Sequence, residues 1–173
     1  ALIPPPLPYG ISPYFAAYPG TLSLSLETFV ALAREVIEGL LAQGFRRVLV
    51  SNGHGGNSGL LGPLLIEMNS AHPDAHFDLF QWYRHPAVEA AAQEANLPQY
   101  HANYSELFPF TKVGSVPEGE KEPAAIPRVA SAADFRAVLG DGSFGGAYQA
   151  PQEVMDRLFQ AAVEAMVAAL REI

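Results

Sequence analysis

The segment Val48-Leu49-Val50-Ser51-Asn52-Gly53-His54-Gly55-Gly56-Asn57 runs from apolar, β-branched residues into a turn of three glycines, two asparagines and one histidine. A helical pattern follows. In an open α/β sheet, ligands gather at the carboxyl ends of the parallel strands, where such a turn would lie. Glycine tolerates positive φ and lets a ligand approach the backbone closely. An imidazole held there can ligate a metal or move a proton near neutral pH. The helix N-terminus after the turn would also favour an anion. However, the turn lacks the Gly-Lys-Ser/Thr ending of a P-loop and does not fit the G-x-G-x-x-G spacing. The plainer alternative is a tight turn whose imidazole bonds locally.

A second constellation is His101-Ala102-Asn103-Tyr104-Ser105-Glu106, before Phe108-Pro109-Phe110-Thr111. In a helix, His101 and Glu106 would not share a face; in irregular chain both can turn into one cleft. Histidine suits general acid/base work, and a carboxylate suits a divalent metal. The plainer alternative for Glu106 is an exposed carboxylate. His72 and His76 flank Pro73-Asp74 and read as surface residues of a turn. His85, before Pro86, carries less weight as a site residue, and a place near the sheet edge is its lesser alternative. Trp82 falls at the expected end of its strand, either to stack on a planar substrate or to fill the core. Asp141-Gly142-Ser143-Phe144-Gly145-Gly146 reads as a lid or a plain turn.

Composition narrows the chemistry. Of the 173 residues, 49% are hydrophobic and 16% charged, which fits a globular chain rather than a disordered one. The net charge is −8, and Arg46-Arg47 is the only adjacent basic pair, which argues against nucleic acid as a partner. Without cysteine there is neither a disulfide framework nor a thiolate metal site, so any metal must use His, Asp or Glu. No apolar run reaches the roughly 20 residues of a membrane span. Nor does the opening Ala1-Leu2-Ile3-Pro4-Pro5-Pro6 resemble a signal peptide, so the expected location is the cytoplasm.

The elements that must position these residues alternate. Residues 1–20 hold six prolines and the rings of Tyr9, Tyr14, Phe15 and Tyr18, and read as an ordered loop. Ser25 is a fitting N-cap. Phe29, Leu32, Ala33, Val36, Ile37, Leu40 and Leu41 follow at helical spacing, and Gly44 ends that helix. The pattern then predicts a strand over Arg47–Ser51 and a helix from about 57 to 69. A strand over Phe77–Trp82 and a helix over Ala87–Ala95 come next. Residues 111–128 are irregular, a short helix spans Ser131–Leu139, and a long helix runs from about Pro151 to Leu170. This order implies a mainly parallel sheet covered by helices in one domain, 1–173.

At these residues the chain resembles the creatininase (creatinine amidohydrolase) family. The match rests on Asn52-Gly53-His54-Gly55-Gly56-Asn57, Pro5-Pro6-Leu7-Pro8-Tyr9-Gly10, Pro19-Gly20-Thr21 and Leu24-Ser25. The His101–Glu106 segment and the Asp141–Gly146 loop extend it. The resemblance implies a three-layer α/β/α fold and a hydrolase using divalent metal ions (zinc, manganese or iron), commonly two, in a homo-oligomer that is often a hexamer. It makes His54 and Glu106 metal ligands and His101 the catalytic acid/base. Gly55, Gly56, Asn57, Trp82 and Tyr104 would then face the substrate or a developing oxyanion.

Two departures from the family pattern matter. Creatinine-hydrolysing members carry a glutamate two residues after the motif histidine. Here that residue is Gly56, which argues against creatinine itself and places the chain with a glycine-variant subgroup. The family's Glu-x-His-Gly…Asp segment, which lies upstream of the proline-rich loop and contributes metal ligands, is not among these residues. The expectation is therefore an N-terminally truncated unit holding half a site. The expected reaction is hydrolysis of C–N bonds in small cyclic amides or formamides. The rival from another class is an inactive, self-associating binding module.

Overall fold

A computed structural model describes residues 2–173. The described chain divides into two compact units. One holds residues up to Gln81 together with Ala169–Ile173, and the other holds Trp82–Ala168.

In the first unit, helix α1 (Leu26–Ala42) starts where the Ser25 side chain accepts from the Thr28 N–H, and Gly44 beyond its end takes φ +90°. Strand β1 (Arg47–Ser51) leads through a 3-10 turn (Gly55–Asn57) into α2 (Ser58–Ala71), and β2 (His76–Phe80) follows. β1 and β2 pair in parallel, Arg47 opposite His76 and Ser51 opposite Phe80, as a β–helix–β crossover requires. The sheet expected from the sequence is thus only two strands here. The Asn69 side chain does on the β2 backbone what a further strand would: it accepts from the Phe77 N–H at 3.0 Å and donates to the Phe77 carbonyl at 2.8 Å. Phe29, Ile37, Leu64, Met68 and Phe77 form the core, and Ile11 from the proline-rich loop is buried among them. His76 is the first residue of β2, whereas His72 caps the end of α2 beside Glu38 at 3.7 Å.

In the second unit, a 3-10 turn (Trp82–Arg84) precedes α3 (Pro86–Glu94). β2 stops at Phe80, so Trp82 opens this turn instead of ending a strand. A second 3-10 turn (Tyr104–Glu106) follows. Residues 111–128 are irregular apart from β3 (Glu120–Lys121), and α4 (Ala132–Leu139) is opened by a Ser131–Asp134 capping box. β4 (Gly146–Ala147) pairs antiparallel with β3, and α5 (Gln152–Glu172) ends the chain. Val88, Ala92, Tyr104, Phe108, Met155 and Leu158 form this unit's core, with Trp82 packed against it. No helix among the described residues is long and apolar enough to cross a membrane.

Candidate functional site

The glycine turn after β1 is organised by Asn52, which is only 4% exposed. Its backbone N–H still follows the sheet, donating to the Phe80 carbonyl at 2.8 Å. Its side-chain NH2 donates to the His54 carbonyl at 2.9 Å and to Ser58 Oγ at 3.2 Å, while its Oδ1 accepts from the His54 N–H and from Asn57 Nδ2. A buried amide must satisfy its donors and acceptors, and Asn52 does so by stitching the turn to itself. His54 therefore leaves the strand in a fixed direction. Its Nε2 lies 2.9 Å from the Ile11 carbonyl oxygen and 2.9 Å from Ser12 Oγ.

The other expected residues of this turn divide by what they already bond. Asn57 Oδ1 accepts from the Ile11 N–H at 3.0 Å, and the Asn57 backbone N–H donates to the His54 carbonyl at 3.1 Å. Both Asn57 groups thus hold the loop together. Gly55 and Gly56 begin the 3-10 turn, so their N–H groups precede its first internal bond.

In the second unit, Glu106 and His101 are brought together without a helix. Ala102 takes φ +53°, and its N–H donates to Glu106 Oε1 at 2.9 Å. The reversal sets His101 Nδ1 3.6 Å from the same Oε1. The His101 ring also lies against Phe144, with centroids 4.9 Å apart. Glu106 lines a cavity of about 340 Å3, together with Asn103, Thr111, Asp141, Ser143 and Tyr148. Tyr104 is fully buried, and its hydroxyl donates to the Leu97 carbonyl at 2.5 Å. That burial pushes its phenol pKa up. Trp82 meets Phe108 and Tyr83 edge-on, each at 5.8 Å.

Sequence reasoning missed the polar network on the cavity wall. Lys121 Nζ donates to Asp141 Oδ1 at 2.5 Å and to the Leu139 and Ser143 carbonyls, while the Tyr148 hydroxyl donates to Asp141 Oδ2 at 2.6 Å. Lys121 and Asp141 are 20 residues apart, and no local pattern announces their pairing. Sequence reasoning also missed Ser12. His85 is a helix cap: its Nδ1 accepts from the Ala87 N–H at 3.3 Å, a role that its position before Pro86 at the helix start could have signalled.

Among the described residues, no three His, Asp or Glu side chains gather as a metal-binding group. The donors that are present suit a divalent metal one at a time. The outer nitrogen of His54 is held by a backbone carbonyl, the usual support for a metal-binding imidazole. Glu106 has one oxygen held by Ala102, with no hydrogen bond to the other among the described residues.

Three solved creatininase structures share the fold. One is a tryptophan-to-phenylalanine mutant (TM-score 0.66, 21% identity), and another is a tryptophan-to-phenylalanine mutant described as Type II (0.69, 22%). The third is a glutamate-to-glutamine mutant complexed with creatine (0.67, 22%). Each alignment covers 90% of this chain and 67 or 68% of the other. No curated protein matches the sequence. The family profile of creatininase, described as creatinine amidohydrolase, matches residues 1–170, and the chain therefore belongs to the creatininase family.

Proposed function

We propose that this chain, read as one creatininase-like domain over 1–173, serves a divalent-metal hydrolase that cleaves C–N bonds in small cyclic amides or formamides. The observation that carries the reading is the pairing of His101 Nδ1 with Glu106 Oε1 at 3.6 Å, with Glu106 on the wall of a cavity of small-molecule size. Family membership supplies the reaction class. Gly56, standing where creatinine-hydrolysing relatives have glutamate, argues for another substrate and for the glycine-variant subgroup.

His54 and Glu106 would each hold a metal, zinc, manganese or iron, with the remaining ligands supplied by the family's Glu-x-His-Gly…Asp segment. When bound, such ions supply Lewis acidity toward water and toward a carbonyl. The chain's own residues have separate tasks. Glu106 keeps one oxygen on the Ala102 N–H, which fixes its orientation. His101, beside that carboxylate, carries a proton to the leaving nitrogen as water adds to the carbonyl carbon and the C–N bond breaks. The N–H groups of Gly55 and Gly56 are suited to a developing oxyanion. Trp82 and Tyr104 support the walls through packing. Self-association into a homo-oligomer, a hexamer by resemblance, completes the proposal.

The test is metal analysis of the protein purified together with the segment that supplies the remaining ligands, followed by amide and formamide hydrolysis with zinc, manganese or iron. Stoichiometric metal is expected, together with hydrolysis that His54→Ala abolishes. Absence of bound divalent metal, or full activity in that variant, would sink the reading.

A further inference from the structure

The side chain of His54 is not oriented by its own turn alone. Its Nε2 faces two oxygens from a segment more than 40 residues earlier, the Ile11 carbonyl and Ser12 Oγ, each at 2.9 Å. A carbonyl oxygen can only accept a hydrogen bond. If Nε2 of the neutral ring carried a lone pair, two lone pairs would face each other at 2.9 Å. The proton must therefore sit on Nε2, and Ser12 Oγ must accept as well. Nδ1 is then left with the lone pair, and it makes no hydrogen bond among the described residues.

Two glycines make this approach possible. A Cβ on Gly56 would lie 2.4 Å from the Ile11 oxygen and 2.5 Å from His54 Nε2. A Cβ on Gly10 would lie 2.6 Å from Asn57 Oδ1, the atom that accepts from the Ile11 N–H. Ile11 itself is 5% exposed and belongs to the core of the first unit, so its carbonyl is anchored by burial. The Leu24 N–H donates to the Gly10 carbonyl at 2.9 Å, and the Ser12 N–H donates to Ser23 Oγ at 2.8 Å. The segment is thus tied down on both sides of the histidine.

We infer that Gly10-Ile11-Ser12 is the positioning element of the site: the Ile11 carbonyl locks His54 in the Nε2–H form and leaves Nδ1 as the atom that meets a metal ion or a reacting group. Gly56 is the residue that admits this carbonyl. Any side chain at position 56 exchanges the carbonyl clamp for its own atoms, so the clamp and a functional side chain at that position exclude each other. The inference rests on reading His54 as a site residue, but the locked proton is a property of the metal-free chain and is measured there.

The test is a long-range 1H–15N correlation spectrum of the 15N-histidine-labelled chain, free of metal, in mildly alkaline buffer. His54 is expected to show Nε2 at a protonated-nitrogen shift and Nδ1 at a lone-pair shift. An Nδ1–H pattern, or an even mixture of the two forms, overturns the inference. Ser12→Ala is expected to keep the split, because the carbonyl remains. Gly56→Ala is expected to collapse it toward the mixture while the other histidine signals stay in place; an unchanged split there overturns the role given to Gly56. Should Gly56→Ala fail to fold, the parent spectrum still decides. Added Zn2+ should shift Nδ1 far from its lone-pair position while Nε2 keeps its proton and stays near its protonated-nitrogen shift; loss of the Nε2 proton, with the metal-bound shift appearing there, overturns the inference. No movement at either nitrogen counts against metal ligation by His54 and leaves the locked form standing on the metal-free spectrum.

Discussion

Tyr148 donates its phenolic proton to Asp141 Oδ2 at 2.6 Å, on the opposite side of the carboxylate from the Lys121 ammonium at 2.5 Å. Burial alone would raise the Asp141 carboxyl. Hydrogen bonds from Lys121, Tyr148 and the Ser143 N–H, with the Lys121 charge, outweigh it and hold the group below the usual carboxylate range. The same bond to Asp141 pushes the Tyr148 phenol up, with burial and the neighbouring negative charge adding to it. The two groups therefore constrain stability at opposite ends of the pH scale.

Folded Asp141 binds its proton more weakly than unfolded Asp141. Its contribution is complete above the ordinary aspartate value of about 3.9 and is lost as pH falls through the lower folded value. Folded Tyr148 binds its proton more tightly. Its contribution is present below the ordinary phenol value of about 10 and is lost as pH rises through the raised folded value. Asp141→Asn should flatten the acid side of a melting-temperature-against-pH curve. It should also bring the Tyr148 titration, read by ultraviolet difference against Tyr148→Phe, back toward the ordinary value. An unchanged Tyr148 midpoint in Asp141→Asn would show that the bond does not set it.

The loop that carries Asp141 depends on Gly145. Its φ is +128°, and an added Cβ would stand 2.6 Å from Pro123 Cα and 3.0 Å from Pro123 N. Backbone cannot swing aside as a side chain can. Gly145→Ala should destabilise the protein by about 1–3 kcal/mol, combining conformational strain with the displaced contact. Urea unfolding checks it, through a lower midpoint at constant slope. A midpoint equal to that of the parent would mean that the loop and the Pro123 segment separate freely.

What the sequence revealed follows from the range of the interactions involved. The Ser25 cap, the Gly44 stop and strand Arg47–Ser51 are written in neighbouring residues, and the structure places them as the pattern predicts. The creatininase signature could be read because its residues lie together around His54. The sheet was harder: apolar runs announce strands, but not how many pair, and β1 and β2 form the only parallel pair among the described residues. Glu106 and His101 meet through the positive φ of Ala102, which helical periodicity does not anticipate. Ile11 and Ser12 reach His54 across 43 and 42 residues, and no local pattern in the sequence announces that contact.

Tyr104 separates packing from substrate contact. Its side chain is fully buried, and its hydroxyl bonds the Leu97 carbonyl. Tyr104→Phe keeps the ring and deletes the donor to a partly buried acceptor, at a cost of about 1 kcal/mol. Thermal unfolding should register that loss, while KM for any hydrolysed amide stays within a factor of about two, far less than a lost hydrogen bond to substrate would cause. A KM raised tenfold would instead make the hydroxyl a substrate contact.

Glu106 has a structural and a chemical duty that one pair of substitutions separates. Its Oε1 accepts from the Ala102 N–H at 2.9 Å and so supports the turn that presents His101. Glu106→Gln retains a carbonyl oxygen for that bond but removes the charge. Glu106→Ala removes both. Glu106→Gln should unfold within about 0.5 kcal/mol of the parent, as a surface change without lost contacts does. Glu106→Ala should lose about 1 kcal/mol more for the missing hydrogen bond. If the carboxylate holds a metal, both variants should lose that ion and hydrolyse at least about 100-fold more slowly. Full hydrolysis by Glu106→Gln would confine Glu106 to supporting the turn, and the chemistry would have to be sought from His101 without it.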